Sequence, residues 1–85
     1  MPVISMFFGI IIYMNWDEHL PPHFHARYQD FNGMFTFDGD PLEGNIPPKQ
    51  RKLIAAWAEL HHDELLANWE VAREHEELFR IDPLR

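Results

Sequence analysis

The sequence predicts an α+β fold in which a small antiparallel sheet of three to four strands is followed by two C-terminal helices packed on one face. Turn-forming residues divide the first 46 residues into apolar or alternating runs, whereas helical spacing begins only after Pro47. Strands followed by helices are typical of this class. For 85 residues without cysteine we expect one domain, with strands at about 3–46, helices at about 48–76 and a tail at 77–85.

The first element is the apolar run Val3–Met14, which is rich in Ile, Phe and Val and has no helical period. It predicts one central strand, and Gly9 within it predicts a bulge or a close backbone approach. The run is shorter than the roughly 20 residues that span a bilayer, and no Lys or Arg precedes Arg27. We therefore expect no membrane association and a cytoplasmic protein.

The next strands are predicted around a hairpin. Residues His23–Gln29 alternate between polar and apolar side chains, as in a half-buried strand. The pair Asn32-Gly33 is a strong short hairpin signal, which makes Met34–Phe37 the return strand. Leu42–Ile46 is the candidate for a short additional edge strand.

Pro47-Pro48 opens the helical region, because proline suits the first helical turn. Apolar side chains at helical spacing then form one stripe: Leu53, Ile54, Trp57, Leu60, His61, Leu65, Leu66, Trp69 and Ala72. One helix of this length would overhang so small a sheet, so we predict a break at His61–Asp63 with Asp63 as the N-cap. Four side chains are expected on the covered sheet face: Trp57, Leu60, Leu65 and Trp69. The other face is left to water or a partner, and the aromatic content favours a homo-oligomer.

Three of the six histidines, His19, His23 and His25, lie within seven residues. His23 and His25 alternate on the predicted strand, so both side chains leave the same face. Such a pair binds Zn, Ni or Fe when a loop supplies a third ligand, and His19 or Asp17 is the nearby choice. A three-ligand site with an open position activates water. A structural interpretation also stands, in which the imidazoles hydrogen-bond the backbone of the proline-rich loop Asn15–Pro22.

Metal-free acid–base chemistry is a third interpretation of the same strand face. Histidine titrates near neutrality, so His23 and His25 can divide the roles of acid and base. Arg27 follows on the same face and can hold a phosphate or a carboxylate. A base, an acid and a cation together suit metal-independent RNA cleavage. His61 joins these candidates if the fold brings it close to the strand.

The charge balance restricts the partners. Fourteen Asp and Glu against seven Lys and Arg give a net charge of −7, and residues 59–85 hold eight of the acids and three of the bases. The acidic C-terminal part repels a phosphate backbone, so nucleic acid would have to use Arg27, Lys49, Arg51 and Lys52. The last three form a weak candidate anion-binding patch at a helix start, for which simple solvation is the more common explanation.

Three segments resemble the bacterial family called domain of unknown function 4160: Pro2–Met14, Glu18–Tyr28 and Trp57–Trp69. The similarity covers residues 2–75, and the string Pro-Pro-His-Phe-His-Ala at 21–26 is its most specific part. The family's motif residues correspond here to Glu18, His19, Pro21, Pro22, His23, Phe24, His25, Ala26, Trp57, His61, Glu64, Leu65 and Trp69. One departure is Gln29, where the family usually has a glycine.

The resemblance implies a small cytoplasmic protein with a small cognate partner protein. Members are often encoded beside a second small family, domain of unknown function 2442. Such gene pairs look like toxin–antitoxin modules, with the present family as the toxin. No activity or substrate comes with the family's name.

Three functions remain open at this point. The first is a toxin-like component that acts on nucleic acid or translation through His23, His25 and Arg27. The second is a non-catalytic protein-interaction module in which the histidines are structural. The third is a metal-dependent hydrolase. We expect no cofactor unless the histidines hold a divalent metal.

Overall fold

The computed structural model describes residues 2–85, which form a five-stranded antiparallel sheet followed by two helices. The strands lie in sequence order across the sheet, and they are β1 (Val3–Phe7), β2 (Ile10–Tyr13), β3 (His23–Tyr28), β4 (Phe31–Thr36) and β5 (Pro41–Gly44). The helices are α1 (Pro48–Leu60) and α2 (His62–Arg73). The predicted class, an antiparallel sheet followed by two helices, is confirmed, although the sheet has more strands than predicted.

The additional strand comes from the run Val3–Met14, which is a hairpin and not one central strand. Phe8 and Gly9 form its two-residue turn, with φ of 49° and 77°, between the paired residues Phe7 and Ile10. Positive φ at both central positions is the geometry that two-residue hairpin turns prefer. The turn is hidden in the sequence because Phe8 occupies a position where a polar residue is expected, which leaves the apolar run unbroken.

The second hairpin turns at Gln29-Asp30, where Tyr28 pairs with Phe31, and not at Asn32-Gly33. Gln29 has a φ of 53°, which is a conformation that glycine adopts at lower cost. Asn32 and Gly33 lie inside β4, where Gly33 pairs with Gly44 of β5. A Cβ on Gly44 would lie 2.1 Å from the Asn32 carbonyl oxygen. Gly44 therefore permits the close approach of β4 and β5, whereas a Cβ on Gly33 would lie 2.9 Å from Ile46 Cγ1 in the core.

The two edges of the sheet differ in exposure. β5 confirms the predicted edge strand, and all four of its residues are exposed. The C-terminal tail packs at the opposite edge, where the Ile81 amide donates to the Ile4 carbonyl at 2.7 Å. Ile81 is buried, and the Asp82 carbonyl accepts a hydrogen bond from the Trp57 indole at 2.8 Å. The tail thus covers β1 and leaves β5 as the free edge.

The helices cover one face of the sheet, where the Trp57 ring packs 5.4 Å from Phe7 and 5.6 Å from Phe24 between ring centroids. The predicted break between the helices is confirmed, but the residue before α2 is His61, and Asp63 lies in the first turn. The expectation that Leu60 covers the sheet is wrong, because its side chain is 70% exposed. Leu60 lies roughly 110° around the helix from the buried stripe of α1.

The opposite face, called here the outer face, carries the alternate residues of the strands. Tyr13 of β2 pairs with His25 of β3, and His25 pairs with Met34 of β4. These side chains are only partly buried, whereas their neighbours Ile12 and Phe24 point into the core. Within residues 2–85, no helix combines the length and the apolar character that crossing a membrane requires.

Candidate metal centre

Glu18, His23 and His25 come together beside the outer face of the sheet. One ligand atom from each residue lies within 4.8 Å of the other two. The two histidines occupy alternate positions at the start of β3, which directs both imidazoles to the same side. Glu18 comes from the loop that joins β2 to β3, so a short stretch of chain supplies the whole cluster.

The carboxylate of Glu18 lies between the two imidazoles. Its Oε1 accepts hydrogen bonds from His25 Nε2 at 2.6 Å and from Asn15 Nδ2 at 3.0 Å, and its Oε2 lies 3.5 Å from His23 Nε2. Burial alone raises the pKa of Glu18, but the hydrogen bonds from His25 and Asn15 and the charges of both histidines outweigh it. The pKa of this carboxyl therefore lies below its ordinary value, and Glu18 is an anion at neutral pH.

His23 is the buried member of the cluster, with 1% of its surface exposed. Its Nδ1 lies 2.7 Å from the Pro21 carbonyl oxygen, which only accepts, so Nδ1 carries a proton and donates. In the neutral ring, Nε2 then carries no proton and is an acceptor. This Nε2 has no hydrogen-bond partner among the described residues, and it faces a carboxylate oxygen. In that neutral form two acceptors would face each other in a buried place, which is costly unless a proton on Nε2 or a metal cation lies between them.

His25 is held from one side by an aromatic ring. The Tyr13 ring stacks on the imidazole with 4.9 Å between centroids and 11° between planes. The side chains of His25 and Glu18 are 17% and 16% exposed, whereas that of His23 is 2% exposed. The cluster is therefore closed beneath His23, where Trp69 packs, and open to solvent beside His25 and Glu18.

Two imidazoles and one carboxylate are a donor set for Zn²⁺ and for other first-row transition metals. Two ligands of a tetrahedral zinc ion lie roughly 3.3 Å apart. The contacts of Glu18 run from its two different oxygens, 3.5 Å to His23 Nε2 and 2.6 Å to His25 Nε2, and the ligand atoms of the three residues lie within 4.8 Å of one another, so the side chains would have to shift to reach that value. The bond from His23 Nδ1 to a backbone carbonyl is the contact that usually orients a metal-ligating histidine. Three protein ligands leave a fourth position for water.

The family model described as "Domain of unknown function (DUF4160)" matches residues 9–70. The chain belongs to this family. No curated protein and no solved structure matches the chain. The match includes all three cluster residues, Glu18, His23 and His25, together with Trp69, which packs against His23. The DUF4160 description assigns no activity.

In this DUF4160 chain, the loop that carries Glu18 is attached to the end of α2. The Trp16 indole donates to the Glu76 carbonyl at 2.9 Å, and Asp17 forms a hydrogen-bonded ion pair with His75. Asp17 has a φ of 58°, so the loop turns sharply just before Glu18. These contacts hold the carboxylate over β3 from residues that are not themselves ligands.

The other two histidines considered as site residues, His19 and His61, are not members of this cluster. His19 is exposed and is not a member of the ligand group found in residues 2–85. His61 makes a 2.6 Å contact with Glu64 and packs on Trp57, with 5.6 Å between ring centroids. The structure therefore brings His23 and His25 together with Glu18, and it pairs His61, which lies between the two helices, with Glu64 of α2.

The cations considered in the sequence analysis are all at the surface. Arg27 is exposed and follows His25 by two positions on β3, so it lies on the outer face. Lys49, Arg51 and Lys52 lie in the first turns of α1 and are exposed. None of the four forms an ion pair within the described part of the chain.

Glu18 is the member of the cluster that sequence reasoning missed, since His19 and Asp17 are the third donors that the sequence predicts. A signal was present, because Glu18 lies in the string Glu-His-Leu-Pro-Pro-His-Phe-His that carries the family resemblance. The loop between Glu18 and His23 has no periodicity, so its path back to the strand cannot be obtained from spacing. Asp17, one residue earlier, is directed to His75 instead.

Proposed function

We propose that this chain is a metal-dependent hydrolase whose centre is Glu18, His23 and His25. The observation that carries this proposal is the meeting of two imidazoles and a carboxylate, in which the buried Nε2 of His23 has no hydrogen-bond partner among the described residues and lies 3.5 Å from Glu18 Oε2. A divalent cation at this point accepts the lone pair and neutralises the carboxylate, which removes the cost of leaving both groups unsatisfied.

Hydrolysis is the chemistry that such a centre supports. The open side beside His25 and Glu18 leaves room for one water on the metal. A zinc ion lowers the pKa of bound water to about 7, which makes a hydroxide nucleophile near neutral pH. Trp69 and the start of β3 close the opposite side, so His23 serves as a buried ligand and not as a group that touches substrate.

The first experiment measures metal binding directly. Protein purified without an affinity tag is treated with EDTA and titrated with zinc by calorimetry, and we expect one equivalent to bind. Glu18→Gln and His25→Ala each remove a ligand, so their zinc affinity should fall by more than the 10–100-fold typical of outer-shell changes. The matched control is His19→Ala, which removes an exposed histidine from the same loop and should bind zinc as the wild type does.

A second experiment tests the reaction class. Wild-type protein with one zinc equivalent is assayed with p-nitrophenyl acetate and with bis-p-nitrophenyl phosphate. We expect zinc-dependent cleavage that rises with pH to a plateau and is absent in His25→Ala. Stoichiometric zinc binding without cleavage of either compound would indicate a structural metal. Absence of zinc binding would instead favour the protein-interaction module with structural histidines.

A toxin-like role in a two-gene module is the second candidate, and it concerns the same residues. It is supported by the family resemblance and by the position of Arg27, an exposed cation two residues beyond His25 that can contact phosphate. In this case the chain acts in the cytoplasm on nucleic acid or translation and is silenced by a small cognate partner. Growth on induction of wild type and His25→Ala, at matched soluble levels, tests it. Arrest by the wild type alone supports the role, and arrest by neither removes it.

A further inference from the structure

A row of four side chains crosses the outer face from β2 to the free edge. Tyr13 pairs with His25, His25 pairs with Met34, and Met34 pairs with Glu43 in successive strands. Directly opposed residues lie on the same face of a sheet. The row therefore places a metal-centre residue, an apolar side chain and a carboxylate in line, with Glu43 on β5, the free edge strand.

The same row lines a groove of about 190 Å³. The groove is lined by the side chains of Tyr13, His25, Asn32, Met34 and Glu43 and by the backbone of Gly33 and Gly44. The two glycines are paired across β4 and β5, so the groove continues to the open edge of the sheet. From His25 to Glu43 the row crosses two strand spacings, which is roughly 10 Å.

The charge in the groove comes from Glu43, at the end farthest from Tyr13. Glu43 is exposed and forms none of the ion pairs found within residues 2–85. Arg27 lies in the neighbouring row, opposite Asn32, and does not line the groove. A ligand in the groove thus meets an imidazole at one end, a methionine that adapts to alkyl chains in the middle, and an unpaired carboxylate at the other end.

We propose that the groove binds a primary amine or guanidinium on an alkyl stem, with Glu43 as the residue that selects the cation. The stem lies over Met34, as lysine and arginine stems commonly lie along apolar surface. The proposal rests on the hydrolase function. A ligand whose basic group binds Glu43 would place its uncharged, hydrolysable bond over the metal centre. A basic residue of a peptide and a free alkylamine share this chemistry, and the test separates them.

The test is a set of NMR titrations with small probes on zinc-loaded protein and again on EDTA-treated protein. The probes are N-acetyl-arginine amide, pentylamine, the neutral N-acetyl-norleucine amide and the anionic N-acetyl-glutamate amide. We expect amide shifts at Met34 and Glu43, and an affinity for the arginine probe about tenfold above that for the norleucine probe. In Glu43→Gln this preference should disappear, whereas Glu77→Gln removes the same charge elsewhere and should keep it.

The outcomes separate this proposal from the hydrolase function. Glu43 lies two strands from His25, so Glu43→Gln should bind zinc as the wild type does. A preference for cations that persists in EDTA supports the groove even if zinc does not bind. Tighter binding of pentylamine than of the arginine probe identifies a free amine as the ligand. Equal affinity for the neutral probe, tighter binding of the anionic probe, or a preference unchanged in Glu43→Gln overturns the proposal.

Discussion

Replacing His23 with phenylalanine should make the metal-free protein more stable, although His23 is a buried residue in contact with Trp69. The reason is that, at a pH where His23 is neutral, phenylalanine keeps an aromatic ring against Trp69 and removes a lone pair that would face the Glu18 carboxylate. A histidine retained for metal binding costs stability when the metal is absent. A histidine retained for structure would do the opposite, so this one substitution separates the two interpretations.

The magnitude follows from the contacts of the two ring nitrogens. Removing an unsatisfied buried acceptor recovers about 1–3 kcal/mol, and losing the hydrogen bond from His23 Nδ1 to Pro21 costs about 0.5–1.5 kcal/mol. Pro21 is exposed, so water can satisfy its carbonyl in the variant. The balance is a gain of about 1 kcal/mol, which raises the melting temperature of a domain of this size by roughly 4–8 °C.

The assay is urea unfolding at pH 8, where a free imidazole is neutral, first in EDTA and then with zinc in excess. In EDTA, His23→Phe should be the more stable protein. At a zinc concentration 100 times the dissociation constant, the wild type alone should gain about 2.7 kcal/mol, and the order of stability should reverse. His19→Phe, at an exposed position, should change stability by less than about 0.5 kcal/mol. A variant that is less stable than the wild type in EDTA would refute the argument.

Three further predictions concern the backbone and the carboxylate. Gly44→Ala should cost about 3 kcal/mol or more in urea unfolding, because the added Cβ would lie 2.1 Å from the Asn32 carbonyl oxygen and 2.5 Å from Gly33 Cα. Gln29→Gly should gain about 1 kcal/mol in the same assay, since it relieves a positive φ. The lowered pKa of Glu18 adds stability that is present above the ordinary value of 4.5 and is lost as pH falls through the folded value. In acid titrations in EDTA, Glu18→Gln should therefore lose less stability than the wild type over that interval, and parallel curves would contradict this.

The sequence predicts the fold class because strand alternation, turn residues and helical spacing all indicate the same arrangement. Alternation in β3, the free edge strand, the proline at the start of α1 and the break between the helices were all predicted. The hairpin of Phe8-Gly9 was missed since both strands and their turn are apolar, and periodicity cannot place a turn inside a continuous apolar run. Asn32-Gly33 misled because glycine also suits a crowded position inside a sheet, and a Cβ on Gly33 would lie 2.9 Å from Ile46 Cγ1 and 3.0 Å from Phe35 Cε1.

Only the two histidines of the cluster follow from sequence spacing, for a similar reason. The alternation of His23 and His25 follows from strand geometry, and it was available from spacing alone. The third donor was not, because Glu18 reaches the strand through a loop whose path depends on contacts with residues far along the chain. Trp16 binds the carbonyl of Glu76, sixty positions later, and no local pattern encodes such a pairing.

The contacts of the loop Asn15–Pro22 also hold the Glu18 carboxylate beside the two histidines. If Glu18 turned into solvent, water would hydrate its carboxylate, and His23 Nε2 would no longer face that carboxylate. The attachment of Trp16 and Asp17 to the end of α2 opposes that movement, and the hydrogen bond from Asn15 holds one carboxylate oxygen in place. Contacts outside the cluster thus keep the carboxylate 3.5 Å from the buried Nε2 of His23, which has no hydrogen-bond partner among the described residues. Local rules are broken in this way mostly at functional sites, which is why the unpaired nitrogen of His23 carries more weight here than the number of histidines in the chain.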